Sequence, residues 1–289
     1  MSEVVTLLAN CAQLAECPRW DPERRLLYWV DIEAGRLHAF DPKTGQDDFL
    51  QLDEEIACFA IREKGGFVAG LRSGLVTIDS LQGGITPIVD PEQDKPQQRF
   101  NDGRCDPAGR FIAGTLNPNK DAYSGHFYTL DIDHSVRQIV GENWTSNGLA
   151  FSPDGKTLYY SDTPRHVIFA CDYNVDTGTV SKQREFIRFP YGFGRPDGAA
   201  VDSEGYYWSA LYDGGRIVRI SPAGKIVATI TVPAKKPTMV AFGGDSLNTL
   251  FITSADTDDP AEKAQYPLSG SIFAINLAVT GLLEPKFKG

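Results

Sequence analysis

The sequence has few of the features that mark a secreted or membrane-bound protein. Its five cysteines are odd in number and form no C-x-x-C pair, so we expect reduced thiols and not a disulfide framework. No apolar stretch approaches the roughly 18 residues that a membrane helix requires. Residues 1–15 contain no lysine or arginine with which a signal peptide would begin. We therefore expect a cytoplasmic protein without a membrane anchor.

Basic charge is also scarce. The chain has 28 lysines and arginines against 38 aspartates and glutamates, which gives a net charge of −10 and a pI near 4.9. Such a surface offers no basic patch to nucleic acid or to an anionic membrane. We expect a small molecule as the partner. The oligomeric state is not fixed by the sequence, and a monomer or a weak homo-oligomer is the expectation.

Two common hydrolytic motifs are missing as well. There is no H-E-x-x-H, and the four histidines show no spacing typical of metal ligands, so the sequence does not predict a zinc site built on histidine. No G-x-S-x-G elbow is present either, which argues against a serine hydrolase of the α/β type.

The chain does contain a repeat of about 44 residues. Six segments each place a turn, such as D-P-A-G at 106–109, before an apolar strand rich in β-branched and aromatic residues. The first residues of these turns are Asp21, Glu63, Asp106, Ser152, Asp202 and Gly243. The spacing is typical of a four-stranded propeller blade, and no long stretch keeps a helical period.

We therefore predict an all-β fold, a six-bladed β-propeller with four-stranded antiparallel blades around a central channel, as a single domain over residues 1–289. The segment Val4–Leu8 is a spare strand that would complete the last blade. A pair of β-sandwiches is the alternative, but it does not explain the single repeat length.

The repeat also aligns polar residues. Five positions before each turn stand Glu16, Cys58, Asn101, Asn147, Asp197 and Thr238. In a propeller these equivalent positions, at the head of each inner strand, face one end of the channel. Two carboxylates and two amides brought together there predict a site for a hard divalent cation. The structural alternative is that they cap blade ends by hydrogen bonding to loop backbone.

Four motifs carry a resemblance to a known family. They are A-E-C-P-R-W at 15–20, R-F-N-D-G at 99–103, S-N-G-L-A-F-S at 146–152 and R-P-D-G-A-A-V-D at 195–202. With them the chain resembles the SMP-30/regucalcin/gluconolactonase family of sugar lactonases. The resemblance implies a six-bladed propeller that binds one divalent metal through Glu16, Asn147 and Asp197. It also implies that Arg99 and Asn101 contact the sugar lactone. The chain departs from the family at Cys17, where a glycine or serine is usual.

We therefore expect metal-dependent hydrolysis of a sugar aldonolactone, of the gluconolactone or xylonolactone type, to the open aldonic acid. Asp197 would act as the general base, or else as a ligand only. Oxygen ligands accept Ca²⁺, Zn²⁺, Mn²⁺, Mg²⁺ or Fe²⁺, so the metal is not identified. Two alternatives stay open. One is a different esterase or organophosphate hydrolase on the same site, and the other is a non-enzymatic calcium-binding regulator.

Overall fold

Six four-stranded antiparallel sheets make up the structure, a computed structural model that describes residues 3–289. In five of the sheets the four strands follow one another in the chain. The innermost strand of each sheet packs against the innermost strands of the two neighbouring sheets, and the ring closes from the last sheet to the first. The predicted six-bladed β-propeller is therefore confirmed.

The strands follow in chain order. The chain starts with β1 (Val5–Leu8). Blade 1 contains β2 (Ala15–Asp21), β3 (Leu26–Asp31), β4 (Arg36–Phe40) and β5 (Asp47–Gln51). Blade 2 contains β6 (Ile56–Ile61), β7 (Phe67–Leu71), β8 (Gly74–Ser80) and β9 (Gly83–Val89). Blade 3 contains β10 (Arg99–Cys105), β11 (Phe111–Leu116), β12 (Gly125–Leu130) and β13 (Val136–Asn143).

The second half repeats this order. Blade 4 contains β14 (Ser146–Phe151), β15 (Thr157–Asp162), β16 (Val167–Asn174) and β17 (Thr179–Arg188). Blade 5 contains β18 (Arg195–Val201), β19 (Tyr207–Tyr212), β20 (Arg216–Ile220) and β21 (Ile226–Thr231). Blade 6 contains β22 (Pro237–Gly243), β23 (Thr249–Ser254) and β24 (Ile272–Asn276). Two short helices lie in loops, a 3₁₀ helix (Thr163–Arg165) and α1 (Pro260–Gln265).

Aspartates begin three of the six predicted turns and explain how those inner strands reverse into the second strand. Asp106 Oδ1 accepts hydrogen bonds from the backbone N–H groups of Ala108, at 2.9 Å, and Arg110, at 2.8 Å. Asp21 and Asp202 accept equivalent bonds from the turns that they open. A carboxylate that satisfies turn N–H groups in this way favours a tight reversal.

The hydrophobic core lies between the blades. One cluster joins Tyr159 of blade 4 to Tyr207 of blade 5, and another stacks Trp20 of blade 1 on Phe251 of blade 6 with ring centroids 5.6 Å apart. Inner strands such as β14 are buried at every position, whereas the outermost strands β17 and β21 are mostly exposed. Burial therefore increases toward the channel, which keeps the inner strands in fixed positions.

Strand β1 completes blade 6 and closes the ring, as the spare N-terminal strand predicts. It pairs antiparallel with β24, with Val5 opposite Ala274 and Thr6 opposite Phe273. The strand begins at Val5, one residue later than the predicted segment. The final sheet thus joins both ends of the chain, which gives the edge of β24 a partner.

The C-terminal segment 277–289 crosses the end of the channel opposite to the heads of the inner strands. Ser203 N–H donates to Thr280 O and Glu63 N–H donates to Phe287 O, each at 2.9 Å. Phe287 is fully buried, and the Glu284 carboxylate lies 3.4 Å from the buried Arg104 guanidinium. This segment therefore covers one end of the channel.

The five cysteines form no disulfide in residues 3–289, in agreement with the expected reduced thiols. Within the same residues, no helix has both the length and the apolar character needed to cross a membrane.

Candidate functional site

Every inner strand carries a β-bulge at or next to the position that the repeat selects. The pairing register shifts between Glu16 and Arg19 in β2, and in the corresponding part of each of the other five inner strands. A bulge adds a residue to one strand and re-aims the side chains beside it. The bulges thus turn the heads of the inner strands toward the end of the channel opposite to the C-terminal segment.

Left-handed backbone at two of these bulges explains which residue follows Asn147 in the S-N-G motif and bears on Cys17 in the A-E-C motif. Gly148, after Asn147, has φ = 62°, and a Cβ at this position would lie 2.5 Å from the Tyr207 hydroxyl. Both facts require glycine in the S-N-G motif. Cys17, after Glu16, has φ = 51°, a conformation that favours glycine. Its sulfur packs 3.6 Å from the Phe59 carbonyl oxygen inside the molecule, so its thiol serves packing.

The structure brings three of the predicted residues into one hydrogen-bonded chain. Asn101 Nδ2 donates to Asn147 Oδ1 at 3.0 Å, and Asn147 Nδ2 donates to Asp197 Oδ1. Asn147 Nδ2 also donates to Thr163 Oγ1 at 3.0 Å. Asn147 and Asp197 are buried. Residues from three blades, up to 96 positions apart in the sequence, therefore share one small polar space.

Glu16 occupies the corresponding bulge in β2 of blade 1. Its Oε2 accepts the N–H of Cys17 at 3.0 Å, and the side chain is buried. Burial raises the pKa of Glu16 well above its usual range, and the negative charge of Asp197 raises it further. Burial likewise raises the pKa of Asp197, the charge of Asp102 adds to this, and the cations of Arg195 and Lys120 oppose it. The site thus concentrates negative charge that its own groups do not balance.

Asp102 belongs to this cluster, although sequence reasoning missed it. Its Oδ2 accepts the N–H of Leu149 at 2.9 Å, while its buried Oδ1 has no hydrogen-bond partner among residues 3–289. The only signal was its place beside Asn101 in the N-D-G motif. Thr163 was missed too, because it lies in the short 3₁₀ helix after β15 and outside every repeat motif.

The donor set of the site fits a hard cation. No group of three His, Cys, Asp or Glu side chains with metal-ligand geometry occurs in the described part of the chain. The candidate set instead combines the carboxylates of Glu16 and Asp197 with the amide of Asn147, all oxygen donors of the kind that Ca²⁺ and Mg²⁺ bind. Two buried carboxylates whose charges act on one another are stabilised by a proton or by a nearby cation.

Arg99 borders this cluster at the head of β10. Its Nη1 donates to Asn101 Oδ1 at 3.1 Å and to the Phe100 carbonyl at 2.8 Å. Its Nε lies 4.0 Å from Glu55 Oε1, and Glu55 also pairs with Arg72 at 2.6 Å. The guanidinium is therefore held between the strand and the loop before blade 2. It presents a rigid set of donors beside the carboxylates.

Comparison of the sequence with known proteins shows similarity to lactonases. A chain from Pseudomonas putida named 6-deoxy-6-sulfogluconolactonase is 47% identical over 279 residues, which cover 96% of this chain and 95% of that protein. A chain from Haloferax volcanii named pentonolactonase XacC is 35% identical over 292 residues, covering 99% and 97%.

A solved structure agrees over the whole chain. The crystal structure of regucalcin from Agrobacterium tumefaciens, described as a calcium-binding protein, superposes with a TM-score of 0.93 at 27% identity, covering 100% of this chain and 98% of that one. The profile of the SMP-30/Gluconolactonase/LRE-like region matches residues 14–256, which include all five predicted site residues. The chain belongs to the SMP-30/gluconolactonase family.

Proposed function

We propose that this chain hydrolyses a sugar aldonolactone to the open aldonic acid, with one divalent cation held by Glu16, Asn147 and Asp197. The observation that carries the proposal is a pair of buried carboxylates at the heads of the inner strands, Glu16 and Asp197, with Asn147 hydrogen-bonded to Asp197. The relatives named as lactonases support the choice of reaction.

The cation would polarise the lactone carbonyl and neutralise the two carboxylates. One local change would complete the ligand set. In the structure Asn147 turns its amide nitrogen, and not its oxygen, toward Asp197. Rotation of this amide would present Oδ1 to the same space, and a cation there would favour that orientation.

The chain's own residues would bind the substrate and move the proton. Arg99 lies beside Asn101, and its remaining N–H groups can donate hydrogen bonds to the ring and hydroxyl oxygens of a lactone. Asn101 Nδ2 donates to Ser146 O and to Asn147 Oδ1, and rotation of the Asn147 amide would free the second of these N–H groups for the substrate. Asp197 would accept the proton of the attacking water on a carboxylate oxygen. Burial keeps the pKa of this carboxyl above its ordinary range, which suits a base. Cation binding lowers the pKa again, so the role of base needs its own test.

The relative at 47% identity suggests the finer substrate class. Its name places a sulfonate on carbon 6 of gluconolactone. We infer a lactone of the gluconolactone type for this chain, before a pentonolactone, because the identity to the pentonolactonase is lower.

The proposal is tested by a panel of aldonolactones assayed by acid release, with EDTA and after re-addition of Ca²⁺, Mn²⁺, Mg²⁺ or Zn²⁺. We expect turnover that EDTA abolishes and one of the cations restores. A phosphotriester in the same panel covers the alternative of an organophosphate hydrolase. The absence of turnover on every lactone under all metal conditions would contradict the proposal.

The oxygen donor set also favours a second candidate, a calcium-binding protein without activity, and the described regucalcin structure belongs to a calcium-binding protein. Calorimetric titration of the cation-free protein with Ca²⁺ separates the two. Tight calcium binding together with no hydrolysis would select the binding protein.

A further inference from the structure

The loop between β11 and β12, residues 117–124, lies on the rim of the candidate site. It leaves β11 at Leu116, which pairs with Arg99 at the head of β10. Asn117 Nδ2 donates to Asp121 Oδ1 at 2.7 Å within the loop. Tyr123 accepts a hydrogen bond from Arg165 of blade 4 and packs against Trp144. The loop is therefore tied at its base and to the next blade.

Lys120 stands at the turn of this rim loop in an unusual backbone conformation. Its φ is 51°, and its N–H donates to the Asn117 carbonyl at 3.0 Å. Left-handed backbone is disfavoured for a residue with a Cβ, so the contacts of the loop hold the lysine in this conformation. The turn fixes where the lysine stem leaves the backbone, at an exposed position beside the channel.

The charge of Lys120 also distinguishes it from other cations on this face. Among residues 3–289 it forms no ion pair, whereas other basic groups in the loops at this end have acidic partners. The pairs are Arg72–Glu55, Lys95–Glu92, Arg195–Asp213, Lys235–Glu262, Lys236–Glu262 and Lys263–Asp256. The loop that carries Lys120 starts beside the site, because Leu116 pairs with Arg99 at the head of β10 and with Thr145 just before β14.

We propose that Lys120 binds an anionic group, a sulfonate or a phosphate, at the end of the aldonolactone farthest from the carbonyl. The inference rests on the proposed function and gives that site a substrate class, an anionic aldonolactone. The lactone carbonyl would lie at Glu16 and Asp197, and the opposite end of so small a ring would reach the rim loop that carries Lys120. A compact ammonium with three donors suits the three oxygens of a tetrahedral anion.

The overall negative charge of the chain is a second reason why binding of an anionic substrate would need an unpaired cation near the site. With a net charge of −10, the protein repels an anionic substrate at long range. Arg99 and Arg195 are each opposed by an acidic neighbour, Glu55 and Asp213. An unpaired cation at the rim therefore supplies the local attraction that the paired cations do not.

The test compares three lactones on five proteins. The substrates are gluconolactone, its 6-deoxy-6-sulfonate and its 6-phosphate, with kcat/KM measured at low and at high salt. The proteins are the wild type, Lys120→Met, Lys120→Arg, Lys120→Glu and the matched control Lys263→Met, which removes a rim charge that already has a partner. Thermal unfolding of each variant checks the fold.

We expect Lys120→Met to lower kcat/KM for at least one anionic lactone by about tenfold or more, while the value for gluconolactone stays within about twofold. Lys120→Arg should recover most of the loss, Lys263→Met should show none, and high salt should shrink the difference. The anionic lactone that loses more identifies sulfonate or phosphate as the group recognised.

Equal effects of Lys120→Met on neutral and anionic lactones, or no effect on either, would overturn the inference and leave the proposed function standing. If the wild type hydrolyses no lactone at all, the proposed function itself fails. If Lys120→Met alone does not fold, the comparison is made between Lys120→Arg, which keeps the charge, and Lys120→Glu. Unchanged selectivity in Lys120→Glu, which reverses the charge, would count against the inference.

Discussion

Replacing Asp197 by Asn tests the centre of the site with the smallest change in shape. Asparagine keeps an Oδ1 that can accept the hydrogen bond from Asn147 Nδ2, but it removes a buried negative charge next to Glu16 and Asp102. The structure predicts opposite effects of this change. The cation-free protein should become more stable, and the enzyme should become less active.

The sign of the stability effect follows from the pKa. Burial first, and then the charge of Asp102, raise the pKa of Asp197 above its value in the unfolded chain. Between these two values the folded protein binds more protons than the unfolded chain, so stability falls as the pH rises through that window. The loss is complete above the raised pKa.

In EDTA, Asp197→Asn should therefore have a higher Tm than the wild type at pH 7 and a smaller dependence of Tm on pH. Each kcal/mol of relieved repulsion would raise Tm by roughly 2 °C in a chain of this size. Saturating cation should reverse the order, because the wild type binds the cation more tightly and ligand binding stabilises the folded state.

The activity is compared at saturating cation, so that weaker binding of the cation does not enter. If Asp197 is the general base, kcat should fall by at least about 10²-fold, since loss of a general base costs that much. Glu16→Gln is the matched control, because it removes an equal charge from the same cation but no proposed base. Acid release from gluconolactone, followed with a pH indicator, measures both variants.

Two results would refute this reasoning. A lower Tm of Asp197→Asn in EDTA would show that the carboxylate stabilises the cation-free fold, which excludes a cluster of repelling charges. Wild-type kcat in both Asp197→Asn and Glu16→Gln would show that Asp197 is a ligand only.

Three further predictions concern other parts of the molecule. Arg99→Ala should lower kcat/KM for the lactone by about 10-fold or more while calorimetry shows unchanged cation affinity, because a guanidinium cannot bind a cation; a lost cation would make Arg99 a structural residue. Removal of residues 1–8 should lower the free energy of unfolding, measured in urea, by at least about 2 kcal/mol. The reason is that β24, with the fully buried Phe273, loses its partner strand. An unchanged urea midpoint would contradict closure of the ring by β1. At pH 8 a thiol reagent should react fast with no cysteine of the native protein and with all five of the denatured protein. The reason is that four cysteines are buried and that burial raises the pKa of Cys11 to about 12. A fast-reacting thiol in the native protein would contradict this packing.

The fold could be predicted because each blade repeats the same local chemistry. A turn aspartate such as Asp106 satisfies backbone N–H groups, and the strand after it is apolar because it packs between blades. The outermost strands had no such signal. Strand β21, for example, is exposed at most positions, and its place is set by pairing with β20 and not by a hydrophobic pattern.

The site could be predicted only where it lies within the repeat. Asn101, Asn147 and Asp197 share one register position, and the structure places them in contact. Thr163 reaches the same space from a short helix, and Lys120 lies on a rim loop. The geometry of such segments follows from tertiary contacts that a period does not encode. For Lys120 the informative feature is an unpaired charge on a left-handed turn, which becomes visible only with the surrounding ion pairs.

The six bulges show how a symmetric fold builds an asymmetric site. The repeat gives every blade the same re-aimed position, but the residue there decides its use. Thr238 donates its hydroxyl to the Ala15 carbonyl of the neighbouring blade, and Cys58 is fully buried, so blades 6 and 2 use the position to join strands and fill space. Glu16 and Asp197 instead bury carboxylates at this position, beside the Asn147 amide, at an energetic cost. A fold under selection for stability alone would carry apolar or paired side chains at these positions too, and this cost supports the proposed cation.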